Sequence, residues 1–355
     1  MTAVHVVLPE GIDDPSRPSG GNAYDRQVCR RLGSIGWSVH EHAVRGSWPR
    51  PDPASCAALA EIVRLIPAGA VVLLDGLVAC AAPEVLVSQA SRLRLVVLVH
   101  MPLGHRPADD EADDTRMRER EVLSAAAAVV TTSAWSRRRL LELYALAADR
   151  VHVAEPGVDA ADLAPGTTAA GALLCVAAVT AEKGHDVLVD ALAKTMDLSW
   201  QCVCVGSLDR DPVFVERLRR RALDAGLSDR VCLMGAQTGS DLARSYASAD
   251  LLVLASRAET YGMVITEALA RGLPVVASEV GGLTEALGHG ADAIRPGLLV
   301  PPDDAVALGA ALRSWLGDAE LRGRLRRAAR ERRESLSGWS TTASVLAGVL
   351  AGASR

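Results

Sequence analysis

Two glutamates with a glycine between them stand in a stretch that could bind an elongated, negatively charged ligand. Glu259 and Glu267 are separated by seven residues that include Gly262, and a run of four apolar residues precedes them. That run predicts a strand buried on both faces, followed by a turn and a helix that begins near Gly262. The helix start offers the N–H groups of Met263 and Val264 and the positive end of a dipole to an anion. The two carboxylates could then bind different parts of one ligand.

Further candidates follow other predicted strands. Lys183, between a strand and a helix, could neutralise phosphate charge. His100 ends the strand 95–99, and open α/β sheets bind ligands beyond the carboxyl ends of their strands. The pair Gly20 and Gly21 at a helix start lets main-chain amides approach an anion. Taken singly, each has a simpler alternative: a solvated carboxylate, a structurally bonded histidine or a plain turn.

The elements that must position these residues alternate between short apolar strands and segments of helix length. The strand-like runs are 3–8, 71–74, 95–99 and 129–130 in the first half, and 173–179, 201–205, 231–234, 251–254 and 274–277 in the second. This alternation is typical of parallel sheets with helices on both faces. A stretch rich in Pro, Gly, Thr and Ala, 161–170, separates the halves, so 355 residues predict two domains.

Composition excludes several classes of function. A net charge of −5 argues against a nucleic-acid partner, and 49% hydrophobic with 23% charged residues is typical of a soluble protein. With no apolar run long enough for a membrane span and no charged leader, we expect a cytoplasmic protein without membrane contact. The seven cysteines form no C-x-x-C pair, so neither a disulfide framework nor a zinc site is predicted; Cys202 and Cys204 are expected to be buried free thiols. No Asp-x-Asp ends a strand, which predicts no metal, and no G-x-G-x-x-G follows the first strand, which gives no indication of an NAD site.

The stretch 255–287 resembles the donor-binding segment of the family 4 glycosyltransferases. That segment has a glutamate, seven residues, a second glutamate, G-x-P-V-V-A and a glycine pair. Here these are Glu259, Glu267, 272–277 and 281–282, in one register. The resemblance covers essentially the whole chain. It implies an α/β GT-B fold: two facing Rossmann-like doubly wound domains with an interdomain cleft and a C-terminal helix that crosses back to the first domain.

The resemblance also implies a division of labour. Residues 1–163, with the crossover helix 338–355, would form the acceptor-binding domain, and 164–337 would bind the nucleotide-sugar donor. The arginine-rich stretch 312–333 within the second domain is predicted as mostly helical with a solvated face. Acceptor identity would depend on the loops 9–19, 46–53 and 102–114, whose sequences do not reveal it.

By this resemblance, the activity is transfer of a sugar, with retention at the anomeric carbon, from a UDP- or GDP-linked donor to a small-molecule or glycan acceptor. Neither a metal nor a cofactor is expected. His100 and Glu259 would bind the transferred sugar, Lys183 the diphosphate and Glu267 the ribose. Gly235 belongs to a segment that would hold the nucleobase through main-chain groups, so the base is not identified.

One position departs from the family pattern. Ala178 stands where the family usually has a phosphate-binding arginine. Our hypothesis is that Arg210, in the loop after the next strand, supplies the missing charge, while an ordinary loop arginine is an equally good account. The departure also motivates an alternative function, a catalytically weak nucleotide-sugar-binding subunit. A nucleotide-sugar epimerase of the same fold is the other alternative. The sugar, the choice of UDP or GDP and the oligomeric state stay open.

Overall fold

The computed structural model describes residues 2–105, 110–290 and 293–354, and the chain divides into two compact units. The first unit comprises Met1–Asp13, Ser19–Gly157 and Ser337–Arg355, and the second comprises Asp14–Pro18 and Val158–Leu336. Each unit has its own six-stranded sheet, in which all paired strands run parallel. The alternation of apolar runs and helical segments in the sequence is therefore the alternation of strand and helix in the fold.

The first sheet has the strand order β2-β1-β3-β4-β5-β6. Its strands are β1 (Ala3–Pro9), β2 (Ser38–Val44), β3 (Val71–Asp75), β4 (Arg94–Val99), β5 (Ala128–Thr131) and β6 (Val151–Val153). The helices that follow them are α1 (Gly20–Ser34), α2 (Pro53–Leu65), α3 (Gly76–Ala79), α4 (Pro83–Leu86), α5 (Asp110–Ala125) and α6 (Ala134–Tyr144).

Local sequence explains most of these boundaries, and one strand is an exception. Ser19, Asp52 and Ser133 each accept a hydrogen bond from a main-chain amide of the helix that follows, which satisfies a donor left over at the helix start. β2 contains no apolar run because it lies at the edge of the sheet, where most of its side chains keep some exposure to solvent. Its sequence, SVHEHAV, is accordingly polar.

The second sheet has the strand order β12-β11-β10-β7-β8-β9. Its strands are β7 (Ala172–Val176), β8 (Gln201–Val205), β9 (Val231–Leu233), β10 (Leu251–Leu254), β11 (Val275–Ser278) and β12 (Gly297–Val300). Its helices are α7 (His185–Ala193), α8 (Pro212–Asp224), α9 (Gly239–Ala247), α10 (Met263–Leu269), α11 (Leu283–Leu287), α12 (Ala305–Gly317) and α13 (Ala319–Glu334).

The arginine-rich stretch forms two helices, and several of its arginines are bonded to main-chain carbonyls. Asp318 separates α12 from α13 and caps the second helix. Arg322 donates to the carbonyls of Trp315 and Leu316 at the end of α12, and Arg333 donates to a carbonyl in the segment before β7. Arg324, Arg327 and Arg330 are exposed, as predicted, whereas Arg322 and Arg333 are half-buried. The guanidinium groups of these last two satisfy carbonyls, including those that a helix end leaves without an intrahelical partner.

The last helix, α14 (Trp339–Ala353), belongs to the first unit, as the resemblance implies. The ring of Trp339 is buried and meets the ring of Tyr24 edge-on at 5.6 Å. Thr342 Oγ1 donates to the carbonyl of Glu155 at 2.7 Å. Although α14 is mostly apolar, neither it nor any other helix of the described residues is long and apolar enough to cross a membrane.

Candidate functional site

The second sheet reverses its strand order between β7 and β10, and two predicted site residues follow these strands. Lys183 lies in the loop after β7, and Glu259 lies in the loop after β10. Open α/β sheets bind ligands at such a switch point, beyond the carboxyl ends of the strands. Lys183 Nζ lies 2.6 Å from Glu259 Oε1. The structure therefore brings the predicted cation and the predicted carboxylate into direct contact.

This ion pair keeps some access to solvent. The side chains of Lys183 and Glu259 are 27% and 14% exposed, and Ser256 Oγ donates a second hydrogen bond to Glu259 Oε1 at 3.1 Å. Because the lysine ammonium group has three donors on a flexible stem, it can turn from the carboxylate to an incoming anion. The binding of phosphate by Lys183 stays a prediction.

Glycines let the loops around this pair pack main chain against main chain. Gly281 has a φ of +55°, and a Cβ atom there would lie 1.6 Å from the carbonyl oxygen of Glu259. Gly184, directly after Lys183, has a φ of +63°, and a Cβ atom there would lie 1.9 Å from the carbonyl oxygen of Ala255. The first glycine of the predicted pair fixes the loop of Glu259, and Gly184 fixes the loop of Lys183.

The start of α10 lies where the sequence predicts an anion site. Gly262 precedes the helix with a φ of +90°, a conformation that side chains rarely adopt. Met263 and Val264 form the first turn, and the first intrahelical bond to the glycine carbonyl comes from Ile265 N at 2.9 Å. Amides of a first turn have no partner within their own helix, so they can donate to an anion.

Glu267 lies in the same helix, but its contacts differ from those of Glu259. The hydroxyl group of Tyr246 donates to Glu267 Oε2 at 2.7 Å. Burial raises the pKa of Glu267, although Tyr246 and Arg271 oppose that rise. Glu267 therefore faces a buried tyrosine rather than bulk water. Its assignment to the ribose stays a prediction.

The loop of Ala178 is bonded to the loop that carries Arg210. Val179 N donates to the carbonyl of Ser207 at 3.0 Å, and Gly206 N donates to the carbonyl of Gly235 at 2.9 Å. The loops after β7, β8 and β9 are thus linked in series. The loop that carries Arg210 therefore lies beside Ala178, the position that lacks the family arginine.

Arg210 itself is held by a short segment of the N-terminal region that groups with the second unit. Its guanidinium group donates to the carbonyl of Pro18 at 3.3 Å. Burial, and then repulsion from Arg17, lowers the pKa of Arg210. Neighbouring guanidinium groups repel one another, and an anion bound beside them would relieve that repulsion.

In the first unit, the strand order reverses between β1 and β3, next to His100 at the end of β4. Gly20 and Gly21 open α1, the helix after β1. A Cβ atom on Gly21 would lie 3.3 Å from His100 Cδ2, so the glycine leaves room for the imidazole ring. Gly20 is exposed. The structure therefore joins Gly21 and His100, and it does so within the first unit.

Two carboxylates that the sequence analysis missed surround His100. His100 Nε2 lies 2.8 Å from Asp25 Oδ1 and 3.7 Å from Asp75 Oδ2. Burial lowers the pKa of His100, but Asp25 and then Asp75 outweigh burial and raise it to about 9. Burial and the charge of Asp25 raise the pKa of Asp75 to about 7. At neutral pH, His100 is therefore an imidazolium whose Nε2–H donates to Asp25.

Both carboxylates left a signal in the sequence. Asp25 follows Gly21 by four residues in α1, which places the two on one helix face. Asp75 ends β3 as His100 follows β4, and these strands are neighbours in which Asp75 pairs with Leu98. Polar residues at the carboxyl ends of adjacent parallel strands meet at one edge, so this pattern predicts the cluster.

A further buried carboxylate shapes the turn after His100. Glu119 accepts hydrogen bonds from Leu103 N at 2.9 Å and Gly104 N at 2.8 Å, and it also accepts one from the hydroxyl group of Tyr144. These bonds hold the start of the predicted acceptor loop 102–114. Residues 106–109 of that loop lie outside the described residues.

Among the described residues, two groups of side chains have the composition of a metal site. The first is the cluster of Asp25, Asp75 and His100. In this cluster His100 Nε2 lies 2.8 Å from Asp25 Oδ1. The second group consists of Cys175, His185 and Cys204 in the core of the second unit.

Comparison with known proteins agrees with this arrangement. The pattern described as "Glycosyltransferase Family 4" matches residues 3–162, and "Glycosyl transferases group 1" matches residues 170–332. The chain belongs to the family 4 glycosyltransferases. The two matches fall on the two sheets, one on each, and the second contains both Lys183 and Glu259.

Individual relatives are similar over part of their length. A D-inositol 3-phosphate glycosyltransferase of Jonesia denitrificans is 32% identical over 259 residues, which are 66% of this chain and 60% of the relative. A mannosylfructose-phosphate synthase of Agrobacterium fabrum is 28% identical over a region that covers 63% of this chain and 52% of the synthase. The chain thus spans about half to 60% of the length of these curated relatives.

Solved structures show the fold. A sucrose-phosphate synthase from Thermosynechococcus elongatus superposes with a TM-score of 0.81 at 22% identity and covers 99% of both chains. Anabaena Alr3699/HepE, solved in complex with UDP-glucose, superposes with a TM-score of 0.76 at 17% identity over 99% of this chain and 100% of the other. The chain therefore has the two-domain α/β GT-B fold.

Proposed function

We propose that this chain transfers a sugar from a UDP- or GDP-linked donor to an acceptor hydroxyl group, with retention at the anomeric carbon and without a metal ion. The observation that carries the proposal is the ion pair of Lys183 and Glu259 at the switch point of the second sheet. Family membership supports it, as does the similarity to a D-inositol 3-phosphate glycosyltransferase and a mannosylfructose-phosphate synthase.

The donor binds by exchange with this ion pair. Its diphosphate takes the ammonium group of Lys183 and accepts from the amides of Met263 and Val264, while Arg210 adds a second positive charge. Glu259 is then free to accept from a hydroxyl group of the sugar. Groups that face developing charge contribute most to rate, and here the negative charge develops on the leaving diphosphate.

The transfer step forms one bond, breaks one bond and moves one proton, and none of these changes requires a metal ion. The acceptor oxygen forms a bond to the anomeric carbon on the face from which the diphosphate leaves, and the carbon–oxygen bond to the diphosphate breaks. A diphosphate oxygen takes the proton of the acceptor hydroxyl group. Lys183 and the amides of α10 stabilise the diphosphate in place of a metal ion.

The remaining predicted residues bind the ends of the donor. Glu267, held by Tyr246, accepts from the ribose hydroxyl groups, and the main chain at Gly235 contacts the nucleobase. His100, fixed as an imidazolium by Asp25, positions a hydroxyl group of the transferred sugar. Gly20 and Gly21 bring main-chain amides of α1 close to the ligand.

Nucleotide affinity tests the role of Lys183 with a matched control. The chain contains two lysines, and the other, Lys194, is exposed in the same unit. We expect Lys183→Ala to weaken UDP or GDP binding by roughly 10- to 100-fold, because a charge-assisted hydrogen bond contributes about 1.5–3 kcal/mol. Lys194→Ala should bind as the unsubstituted protein does. Isothermal titration calorimetry measures both, and equal affinities for all three proteins would contradict the site.

Donor turnover tests the role of Glu259. Glu259→Gln should lose activity by about 100-fold or more, since the amide cannot replace the charge of the carboxylate. Glu334→Gln, an exposed substitution at the end of α13, is the control. Circular dichroism verifies the fold of each variant. Full activity in Glu259→Gln would remove this residue from the mechanism.

The acceptor requirement separates transfer from the other functions. Donor consumption that depends on an added acceptor, with a product of unchanged anomeric configuration by NMR, supports retaining transfer. An isomerised donor formed without acceptor would show an epimerase. Tight nucleotide binding without turnover in a broad acceptor panel would show the binding subunit that Ala178 favours. Initial rates that do not change when EDTA is added support the metal-free step.

A further inference from the structure

Three cysteines and one histidine meet in the core of the second unit, beneath the loop that carries Lys183. Cys175 lies in β7, Cys202 and Cys204 lie in β8, and His185 begins α7. All four side chains are buried, with at most 2% of their surface exposed. The proposed sugar transfer uses none of them, so the cluster needs a separate explanation.

The geometry of the cluster fits a tetrahedral metal site. Cys175 and Cys204 are partners in adjacent strands, and the ligand atoms of these two residues and His185 all lie within 4.8 Å of one another. Cys175 Sγ lies 3.6 Å from His185 Nε2. A tetrahedral Zn²⁺ ion with bonds of about 2.3 Å to sulfur and about 2.0 Å to nitrogen separates these ligand atoms by about 3.6 Å. The pair therefore already has the expected ligand separation.

Cys202 is a candidate for the fourth ligand. It lies two residues before Cys204 in β8, on the same face of the strand, and its side chain is fully buried. Its sulfur is not among the ligand atoms that lie within 4.8 Å of one another, so this side chain would have to turn to complete a tetrahedral site.

The histidine is the member of the cluster that ordinary core packing explains least well. Buried free cysteines behave as small apolar side chains. The imidazole of His185 is polar, and its Nδ1 atom is buried without a hydrogen-bond partner among the described residues. Its Nε2 atom faces the sulfur of Cys175, and this is the contact that a shared metal ion would take over.

We propose that Cys175, Cys204 and His185 bind a Zn²⁺ ion, with Cys202 in the fourth position. Binding removes one proton from each coordinating thiol, which passes to solvent, and leaves the imidazole neutral. The thiolates of Cys175 and Cys204 balance the charge of the ion, and coordination by Cys202 as a third thiolate gives the site a net charge of −1. The ion would join β7 and β8 to the start of α7 and stabilise the unit. It takes no part in the transfer step, and its test is independent of that activity.

Cobalt substitution tests the site directly. The full chain, expressed without a histidine tag, is unfolded and refolded with Co²⁺, because the buried site opens only on unfolding. We expect one equivalent of bound cobalt, a thiolate-to-cobalt charge-transfer band and the visible spectrum of tetrahedral coordination, all lost when Zn²⁺ displaces Co²⁺. Cys204→Ser should lose the band. Cys232→Ser, which removes an exposed thiol of the same unit, should keep it.

Further variants keep the proposal testable if Cys204→Ser fails to fold. His185→Gln and Cys202→Ser each remove one ligand, and each should shift the cobalt spectrum and lower the gain in melting temperature that Zn²⁺ gives. Refolded protein that binds no metal while all seven thiols react in denaturant would overturn the proposal. A cobalt band that is unchanged in both variants, or a disulfide between Cys175 and Cys204 in freshly purified protein, would also overturn it.

Discussion

The charged groups at the switch point of the first sheet differ from those of the second in burial and in number of partners. His100 has two carboxylate neighbours, of which Asp25 is 2% exposed and Asp75 is 4% exposed. Within the part of the chain that the structure describes, Lys183 has one carboxylate partner, Glu259, and 27% of its side chain is exposed. Both places end parallel strands at a reversal of strand order, so the difference comes from the side chains rather than from the topology.

This difference separates a fixed charge from an exchangeable one. The imidazolium of His100, whose side chain is 15% exposed, keeps its proton and its orientation, because breaking its hydrogen bond would leave the carboxylate of Asp25 unpaired in the interior. A partly exposed lysine can leave its partner at little cost, because water and the remaining hydrogen bonds replace the contact. The first arrangement suits the positioning of a neutral hydroxyl group, and the second suits the binding of an anion.

The largest effect on the free energy of unfolding should come from substitution of the glycines that lie beside Lys183 and His100. Gly184→Ala would put a Cβ atom 1.9 Å from the carbonyl oxygen of Ala255 at a positive φ, and we expect a loss of about 3 kcal/mol or more in the free energy of unfolding. Gly21→Ala meets the ring of His100 at 3.3 Å, and we expect a loss of about 1 kcal/mol. Urea denaturation measures both.

A helical glycine in open space is the control for these substitutions. Gly348 in α14 has no atom within 4 Å of an added Cβ, so Gly348→Ala should raise the free energy of unfolding by roughly 0.5–1 kcal/mol. Equal losses for Gly184→Ala and Gly21→Ala would show that the loop of Lys183 and the start of α1 are packed equally tightly. That result would contradict the proposed difference between the surroundings of His100 and those of Lys183.

The pH dependence of stability tests the fixed charge. Since the folded state raises the pKa of His100 from its usual 6.5 to about 9, the stabilisation is fully present below pH 6.5 and is lost as the pH rises through 9. The loss should reach up to about 3 kcal/mol. The raised pKa of Asp75 adds a decline of the same sign between pH 4 and its folded value of about 7.

Asp25→Asn isolates the histidine in this measurement. The substitution keeps a hydrogen-bond acceptor but removes the charge, so the pKa of His100 should fall and the decline above pH 6.5 should shrink. NMR of the imidazole C–H resonances gives the pKa, and urea denaturation at each pH gives the free energy. A His100 that titrates near 6.5 in the unsubstituted protein would contradict the fixed imidazolium.

Sequence reasoning predicted the elements that carry strong local signals. The apolar runs of β3, β4, β7, β8 and β10 fill buried strands, and a residue that follows such a strand must emerge at its carboxyl end. The contact of Lys183 with Glu259 could be expected for this reason. The α/β GT-B fold predicted from the resemblance is confirmed.

What sequence reasoning missed depends on contacts between elements. β2 is a polar edge strand, so its periodicity is weak. Asp25 lies in a helix and gains significance only because the fold brings its carboxylate within 2.8 Å of His100, the residue that follows β4. The ligands of the proposed zinc site come from β7, β8 and α7, and no spacing within one segment can show that they meet.

The hypothesis for Arg210 predicts a smaller effect on nucleotide affinity than the one expected for Lys183→Ala. Arg210→Ala should weaken nucleoside diphosphate binding by roughly 5- to 30-fold, which is about 1–2 kcal/mol, because the side chain adds a second charge to a site that already contains Lys183. Arg219→Ala, an exposed substitution in α8, is the control. Titration calorimetry at low ionic strength measures the difference. Unchanged affinity in Arg210→Ala would rule out the substitute role at Ala178.

The smallest effect should be the stability change in Lys183→Met. Its partner Glu259 keeps the hydrogen bond from Ser256 and some access to water, so we expect the free energy of unfolding to fall by about 1 kcal/mol or less. The same variant should lose much of its nucleotide affinity. Urea denaturation and titration calorimetry on one preparation give both quantities. A loss of stability as large as that from disrupting the His100 cluster would mean that the lysine pair is also a fixed charge, and the donor could not bind by exchange with it.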